Sequence, residues 1–176
     1  MATLYTIGHS TRSLEELIRA LQAHGIETLV DIRSFPVSRR MPHFSRESLE
    51  QSIPAEDIRY VWLRALGGYR KKLHENSPNI ALRNQNFRNY ADHMMSVEFR
   101  QGVEELLRIA GESRTAYMCA ERVWFHCHRM LVSDYLVAHG HTVLHIDDTG
   151  PVRAHKLTSE ARLIDGQLIY RGDRLF

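Results

Sequence analysis

The chain has 176 residues, of which 43% are hydrophobic and 25% are charged. These proportions are typical of one soluble globular domain that can bury a core, and the sequence has no internal repeat and no low-complexity linker. The formal net charge of +2 is too small to indicate a nucleic-acid binder, so any argument for an anionic partner depends on where the charges lie.

The amino terminus lacks the basic region and apolar run of a secretory signal, and no apolar stretch reaches the roughly 18 residues of a transmembrane helix. We therefore expect a cytoplasmic protein that does not enter a membrane. Its two cysteines are then expected to be reduced thiols, because structural disulfides are rare in that compartment.

Strand-like and helix-like segments alternate along the chain. The predicted strands are residues 4–7, 28–32, 60–66, 114–120 and 142–146. Ser13 and Glu16 have the spacing of a capping box that starts the first helix, and Gly25 ends that helix. Ser45 is predicted to start a short second helix that runs through Ser52.

Three further elements are predicted in the second half of the chain. Phe87 and Tyr90 mark one helix, Ser96 starts a longer one that ends at Gly111, and a last helix runs from near Cys127 to Gly140. Residues 163–170 contain the Asp-Gly pair of a tight hairpin turn.

This order predicts an α/β fold in a single domain, residues 1–176. We expect a mostly parallel, Rossmann-like central sheet of about five strands flanked by helices, with a C-terminal β-hairpin. The expected core covers about residues 4–146, and a C-terminal extension covers about residues 150–176.

Chemically active side chains follow several of the predicted strands. His9 follows the first strand, Asp31 and Arg33 share a face at the end of the second, and Cys119 and Glu121 end the fourth. Because the carboxyl ends of parallel strands meet at one sheet edge, where ligands bind in open α/β sheets, we expect these residues to share one cleft.

Several short motifs together resemble one known family. They are Tyr5-Thr-Ile-Gly-His-Ser10, Asp31-Ile-Arg-Ser-Phe-Pro36 with Arg39-Arg40, Ala65-Leu-Gly-Gly68, Ser77-Pro-Asn79 with Arg83-Asn84, Phe87-Arg-Asn-Tyr-Ala-Asp92, Met118-Cys-Ala-Glu121 and Cys127-His-Arg129. As an ensemble they resemble the DUF488 family over roughly residues 4–146. The resemblance implies a small cytoplasmic α/β domain, but no reaction, because the family is named for its unknown function.

A reactive thiol is one interpretation of the site. Cys127, placed in the first turn of a helix and next to His128 and Arg129, has surroundings that favour a thiolate nucleophile. If the protein is an enzyme, Glu121 or Asp31 would transfer protons and His9 would do acid-base work. An inert core cysteine remains the alternative, and the sequence does not decide whether the protein is an enzyme.

The predicted ligand carries phosphate, as a nucleotide or a nucleic acid does. Neither residues 32–46 nor residues 58–74 contain an Asp or Glu, although both segments are rich in basic side chains. Guanidinium groups bind phosphate at two points, and an aromatic ring such as that of Tyr69 offers a surface on which a base stacks. The candidate ligand-binding residues are Arg33, Arg39, Arg40, Arg83, His128 and Arg129.

Two alternatives stay open at this stage. In one, the protein is a non-catalytic nucleic-acid-binding module; in the other, it binds a metal ion through Cys119, Cys127 and His128. A cysteine-phosphatase loop is excluded, because Phe125 and Ser133, and not arginine, lie six positions after the two cysteines. No cofactor and no oligomeric state is indicated.

Overall fold

A six-stranded sheet organises residues 1–171, the part of the chain that the computed structural model describes. Its strands are β1 (Thr3–Gly8), β2 (Thr28–Asp31), β3 (Arg59–Trp62), β4 (Thr115–Cys119), β5 (Thr142–His145) and β6 (Arg153–Ala154). They lie in the order β3-β2-β4-β1-β5-β6, and only the β5–β6 pair is antiparallel.

Five α-helices connect the strands, and a hairpin follows the sheet. The helices are α1 (Leu14–Ala23), α2 (Arg46–Ser52), α3 (Gln85–His93), α4 (Val97–Glu112) and α5 (Arg129–Ala138), and the hairpin consists of β7 (Ala161–Ile164) and β8 (Gln167–Tyr170). The predicted α/β domain with a mostly parallel sheet and a C-terminal hairpin is therefore confirmed. The predicted domain limit at residue 176 lies outside the described residues.

The local signals in the sequence explain where several elements begin. Ser13 and Glu16 form the predicted capping box, in which each side chain pairs with the other residue's backbone N–H. Ser45 and Ser96 accept hydrogen bonds from the first turns of α2 and α4. At the hairpin turn both Asp165 and Gly166 have positive φ, the conformation that favours an Asp-Gly pair.

Two hydrophobic cores lie on opposite faces of the sheet. On one face α1 and α2 pack through residues such as Leu17 and Leu49, and on the other α3, α4, α5 and the hairpin pack through residues such as Phe99 and Leu168. The chain leaves β1 toward β2 on the first face and leaves β4 toward β5 on the second. Such a reversal at the carboxyl edge is where ligands bind in open α/β sheets.

The structure departs from the predicted elements at the third strand, at helix α4 and at one strand that was not predicted. The third strand ends at Trp62 and not at residue 66, because its neighbour β2 ends at Asp31; a short 3-10 helix follows. Helix α4 continues through Gly111 to Glu112, so this glycine lies inside the last turn. The two-residue strand β6 was not predicted at all, because so short a segment has no periodicity to recognise.

Cys127 also differs from its predicted place in the first helical turn. It has extended backbone angles, φ −143° and ψ 175°, and α5 begins two residues later at Arg129. A short 3-10 helix, Trp124–His126, precedes Cys127 and occupies part of the connection from β4. The thiol therefore stands in front of the helix and meets its first backbone N–H from outside.

Candidate functional site

The segments that follow β1 and β4 run side by side at the carboxyl edge of the sheet. The backbone N–H of His9 donates to the Cys119 carbonyl at 3.0 Å, and that of Ser10 donates to the Ala120 carbonyl at 2.9 Å. A Cβ atom on Gly8 would lie 1.8 Å from the Glu121 carbonyl oxygen. Only glycine therefore lets the chain after β4 pass this closely over the end of β1.

An open cleft of about 260 Å³ lies at this edge. Its lining comes from the ends of β2 and β4, the loop after β3 and the start of α5, and it consists of Arg33, Ser34, Phe35, Gly68, Tyr69, Cys119, Ala120, Glu121, Cys127 and His128. Of the five residues expected to share a cleft, Arg33, Cys119 and Glu121 line it. His9 and Asp31 are not among the lining residues, but both are hydrogen-bonded to the Arg33 side chain.

Two thiols form the floor of the cleft. The Sγ atoms of Cys119 and Cys127 are 2.8 Å apart, and both residues are buried, Cys127 with 8% of its surface exposed and Cys119 with 2%. The backbone N–H of Arg129 donates to Cys127 Sγ at 3.4 Å, and its Nε–H donates to Cys119 Sγ at 3.1 Å. One arginine thus contacts both sulfurs.

The pKa values of the two cysteines are shifted in opposite directions. Burial alone would raise the pKa of Cys127, but the hydrogen bond from Cys119 and the positive charge of Arg129 lower it to about 7. Burial and the neighbouring Cys127 raise the pKa of Cys119 well above its usual value. Cys127 is therefore the thiolate of the pair, and Cys119 is placed to donate its S–H to it.

Arg129 is almost completely buried, with 1% of its surface exposed. Its Nη2 donates to the carbonyls of Glu121 at 2.7 Å and Arg122 at 2.8 Å, and its Nη1 donates to Thr6 Oγ1 at 3.1 Å. These contacts direct the guanidinium into the protein and toward the sulfurs. Burial by itself would lower the pKa of Arg129, but its interactions with the two cysteines outweigh burial and raise the pKa. The guanidinium therefore keeps its charge.

Asp31 and Arg33 form a buried ion pair beside the thiols. The Nε and Nη2 of Arg33 donate to the two carboxylate oxygens of Asp31 at 2.9 and 2.7 Å, and the Tyr60 hydroxyl donates to the same carboxylate. The carboxylate of Asp31 is 0% exposed and faces this network. Asp31 therefore holds Arg33 in place at the cleft wall.

His9 completes this network as a neutral imidazole. Burial lowers its pKa to about 4, and its Nε2 lies 3.3 Å from the Arg33 Nη1, which donates to it. Its Nδ1–H then donates to the Ser10 carbonyl at 2.9 Å. The ring lies against Phe44, with the centroids 4.4 Å apart.

Among the other predicted site residues, His128 and Glu121 line the cleft and three arginines do not. His128 is neutral, since burial lowers its pKa to about 4, and its Nε2–H donates to the Ile32 carbonyl at 2.7 Å. Glu121 carries an exposed side chain at the mouth of the cleft. Arg39, Arg40 and Arg83 are exposed on loops and are not part of the cleft lining.

The metal-binding alternative gains no support from the side-chain arrangement. Among residues 1–171, no three His, Cys, Asp or Glu side chains converge in a way that would hold a metal ion. Cys119 and Cys127 are together, but the His128 ring points to the Ile32 carbonyl and forms a wall of the cleft. A Cβ on Gly68 would lie 2.4 Å from the His128 ring, so the loop after β3 packs directly on that ring.

Several residues that complete the site were not predicted from the sequence. Tyr60 is part of a strand, Phe35 lies within a longer motif, and Thr6 is a buried residue of β1. Their roles depend on neighbours that are distant along the chain. The one signal that could have indicated Phe35 is its position as an aromatic residue in the acid-free segment 32–46.

Comparison with known proteins gives one match. The family model described as "Domain of unknown function DUF488" matches residues 13–136, which include every cleft-lining residue. No curated protein and no solved structure matches the chain. Within residues 1–171, no helix combines the length and the apolar character needed to cross a bilayer.

Proposed function

We propose that this chain, which belongs to the DUF488 family, binds a phosphate-bearing ligand, a nucleotide or a nucleic acid, at the cleft and acts on it through Cys127. The family is defined by sequence and not by a reaction, so the geometry of the site is the basis for this function. The observation that carries the proposal is the contact of one buried arginine with two adjacent sulfurs at the cleft floor. A structural cysteine has no need of such a partner. A cationic partner of this kind favours the thiolate form that a nucleophilic cysteine uses.

The mouth of the cleft supports a ligand with a planar ring. Phe35 and Tyr69 are both 64% exposed, and their ring centroids are 5.8 Å apart at an angle of 52°. The Tyr69 backbone N–H donates to Ser34 Oγ at 2.8 Å, and this bond ties the two ring-bearing loops together. Exposed aromatic rings on fixed loops are the surfaces on which nucleobases stack.

The charges near these rings support the phosphate part of the ligand. Arg39 and Arg40 are exposed in the acid-free segment that contains Phe35, and Lys71 and Lys72 are exposed just after Tyr69. Glu75 is the acidic residue closest along the sequence to these two lysines, and its Oε2 lies 3.2 Å from Lys72 Nζ. A base stacked between the loops would leave its phosphate near this cationic surface.

The polar residues divide the remaining work. Asp31 is occupied by Arg33 and Tyr60, so its role in this proposal is to hold Arg33 at the cleft wall. Glu121 is an exposed residue that lines the cleft, and its carboxylate is the candidate for proton transfer. His9 and His128, both neutral, orient Arg33 and the loop after β3.

Alkylation of Cys127 tests both halves of the proposal. The rate of modification by iodoacetamide, followed by mass spectrometry, should have a pH midpoint near 7, compared with about 8.5 for a free cysteine. A nucleoside monophosphate should protect the thiol, and the same nucleoside without phosphate should protect it much less. A midpoint at or above 8.5 contradicts the thiolate, and equal protection by both compounds contradicts the phosphate.

The non-catalytic binding module remains the competing function, and the exposed rings with their cationic surface are what favour it. A Cys127→Ser variant separates the two. Both functions predict that the variant binds a short single-stranded oligonucleotide with unchanged affinity. Only the proposed function predicts that a ligand which wild-type protein modifies or retains covalently is released unchanged by the variant.

A further inference from the structure

A chain of buried hydrogen bonds connects Arg129 to the carboxylate of Asp134. From Thr6 Oγ1, which accepts from Arg129, the chain continues to His145 Nδ1 at 2.6 Å, from His145 Nε2 to His155 Nδ1 at 2.9 Å, and from His155 Nε2 to Asp134 Oδ1 at 2.7 Å. All five side chains are at least nine-tenths buried. Three of them, Thr6, His145 and His155, lie outside the segment that the DUF488 family model matches.

With both histidines neutral, the Asp134 carboxylate sets the direction of every bond in this chain. A carboxylate only accepts, so the His155 proton is on Nε2 and His155 Nδ1 accepts from the His145 Nε2–H. His145 Nδ1 then accepts from the Thr6 hydroxyl, whose oxygen accepts from Arg129 because arginine has only donors. Burial lowers the pKa of His145 to about 3, which agrees with a neutral ring.

The far end of the chain is anchored as firmly as the near end. The Tyr170 hydroxyl donates to the second oxygen of Asp134 at 2.8 Å, and the backbone N–H of Thr158 donates to the first at 3.0 Å. The Trp124 ring lies flat on His145, with the centroids 4.6 Å apart at an angle of 3°. With no freedom at either end, the chain fixes the position of Arg129 against the sulfurs.

We propose that Cys119 and Cys127 are a redox-active dithiol that undergoes thiol–disulfide exchange with disulfide-bearing substrates, and that the chain from Asp134 to Thr6 sets the potential of this dithiol by positioning Arg129 to stabilise its reduced form. This activity goes beyond the proposed function, because it consumes both thiols. The 2.8 Å contact places the sulfurs close enough that small side-chain rotations reach the bond length of about 2.05 Å. The more exposed Cys127 is the attacking sulfur.

The electron balance of the reaction is that of thiol–disulfide exchange. The Cys127 thiolate attacks one sulfur of the substrate R–S–S–R and the substrate S–S bond breaks. The first RS⁻ leaves, and a mixed disulfide between Cys127 and the other RS group remains. Cys119 passes its proton to that RS⁻ and attacks Cys127 Sγ, so the second RS⁻ leaves. The two cysteines lose two electrons, and the substrate disulfide gains them as RSH and RS⁻.

Equilibration with reduced and oxidised glutathione tests the dithiol. Wild-type protein should form an intramolecular Cys119–Cys127 disulfide, seen by mass spectrometry as the loss of two hydrogens without a glutathione adduct. Cys119→Ser should stop at a stable glutathione adduct on Cys127, because no second thiol resolves it. A stable adduct on the wild-type protein overturns the dithiol but leaves the reactive Cys127 of the proposed function intact. No reaction of the folded wild-type protein also overturns the dithiol, and the iodoacetamide reaction of Cys127 then decides the proposed function separately.

A matched pair of variants at Thr6 tests the positioning chain. Thr6→Val has nearly the same shape but no hydroxyl, so it leaves Arg129 Nη1 and His145 Nδ1 without partners, whereas Thr6→Ser keeps the hydroxyl. We expect Thr6→Val to favour the disulfide about tenfold more strongly, a shift of about 30 mV toward a more reducing potential. Thr6→Ser should retain the wild-type value.

A change of fold alone would not reproduce this pattern, because the redox potential and not the activity is the readout. Equal potentials for folded Thr6→Val and Thr6→Ser proteins would show that the chain does not act on the thiols. If Thr6→Val does not fold, the comparison moves to His155. His155→Gln keeps a donor and an acceptor and should resemble the wild type, and His155→Leu removes both and should show the same shift as expected for Thr6→Val.

Discussion

At the scale of single side chains, we expect the buried ion pair of Asp31 and Arg33 to contribute strongly to stability. Arg33→Gln would leave a buried carboxylate with only Tyr60 and a backbone N–H as donors, so we expect it to lower the free energy of unfolding by about 3 kcal/mol. Arg108→Gln is the control, because Arg108 pairs with Glu105 and Glu112 on an exposed helix face and should matter far less. Urea unfolding of both variants measures the difference, and equal losses would contradict the importance of burial.

The neutral buried histidines predict how stability depends on pH. Burial lowers the pKa of His9 and of His128 to about 4 and that of His145 to about 3, while an unfolded histidine titrates near 6.5. Between these values the unfolded chain binds more protons than the folded one, so stability is lost as the pH falls below about 6.5. Each of the three should cost about 2 kcal/mol between pH 7 and pH 5.

Urea unfolding at several pH values measures this slope. In His145→Gln one of these contributions is absent, so the loss of stability between pH 7 and pH 5 should be smaller than in the wild type, although the variant starts from a lower stability. A wild-type protein equally stable at pH 7 and pH 5 would contradict the neutral, buried state of these rings.

At the scale of elements, the crossing of β1 by the connection after β4 depends on one glycine. A Cβ at Gly8 would overlap the Glu121 carbonyl, which is backbone and cannot rotate away, so Gly8→Ala should destabilise the fold by about 3 kcal/mol. Gly111→Ala is the matched control: nothing lies within 4 Å of its Cβ, and the last turn of α4 should gain about 0.5–1 kcal/mol from a better helix former. Thermal unfolding should move the two variants in opposite directions, and a neutral Gly8→Ala would contradict the close crossing.

The domain as a unit includes the segment that follows the family match. Ala161, Leu168 and Tyr170 belong to one of the two cores, and the Ala81 N–H donates to the Tyr170 carbonyl at 2.8 Å. A chain that stops after Gly150 should therefore lose cooperative unfolding. Tyr170→Phe, which keeps the ring and removes only the bond to Asp134, should lose about 1–2 kcal/mol and stay folded.

Near-ultraviolet circular dichroism and urea unfolding distinguish the two variants. A truncated chain that still unfolds in one cooperative transition with wild-type stability would show that the extension is an appendage. The expected result would instead make the extension a structural part of this chain's thiol site, because His155 and the anchor Tyr170 lie in it.

The sequence alone was sufficient for the local features of this fold. The capping box at Ser13, the helix starts at Ser45 and Ser96 and the Asp165-Gly166 turn were all predicted, because each depends on hydrogen bonds or backbone angles within a few residues. The alternation of strands and helices also predicted the sheet and brought the strand ends to one edge. The spacing of Asp31 and Arg33 also placed both on one face, although their ion pair was not predicted.

The tertiary structure decided everything that depends on distant neighbours. It ended β3 where β2 gave no further partner, placed Cys127 in front of α5, and set its sulfur against Cys119. Thr6 and His145 are 139 positions apart, yet their hydrogen bond is one link of the buried hydrogen-bond chain between Arg129 and Asp134. Such contacts leave no periodicity in the sequence, because they arise from the packing of whole elements, and packing determines which polar groups must find partners inside the protein.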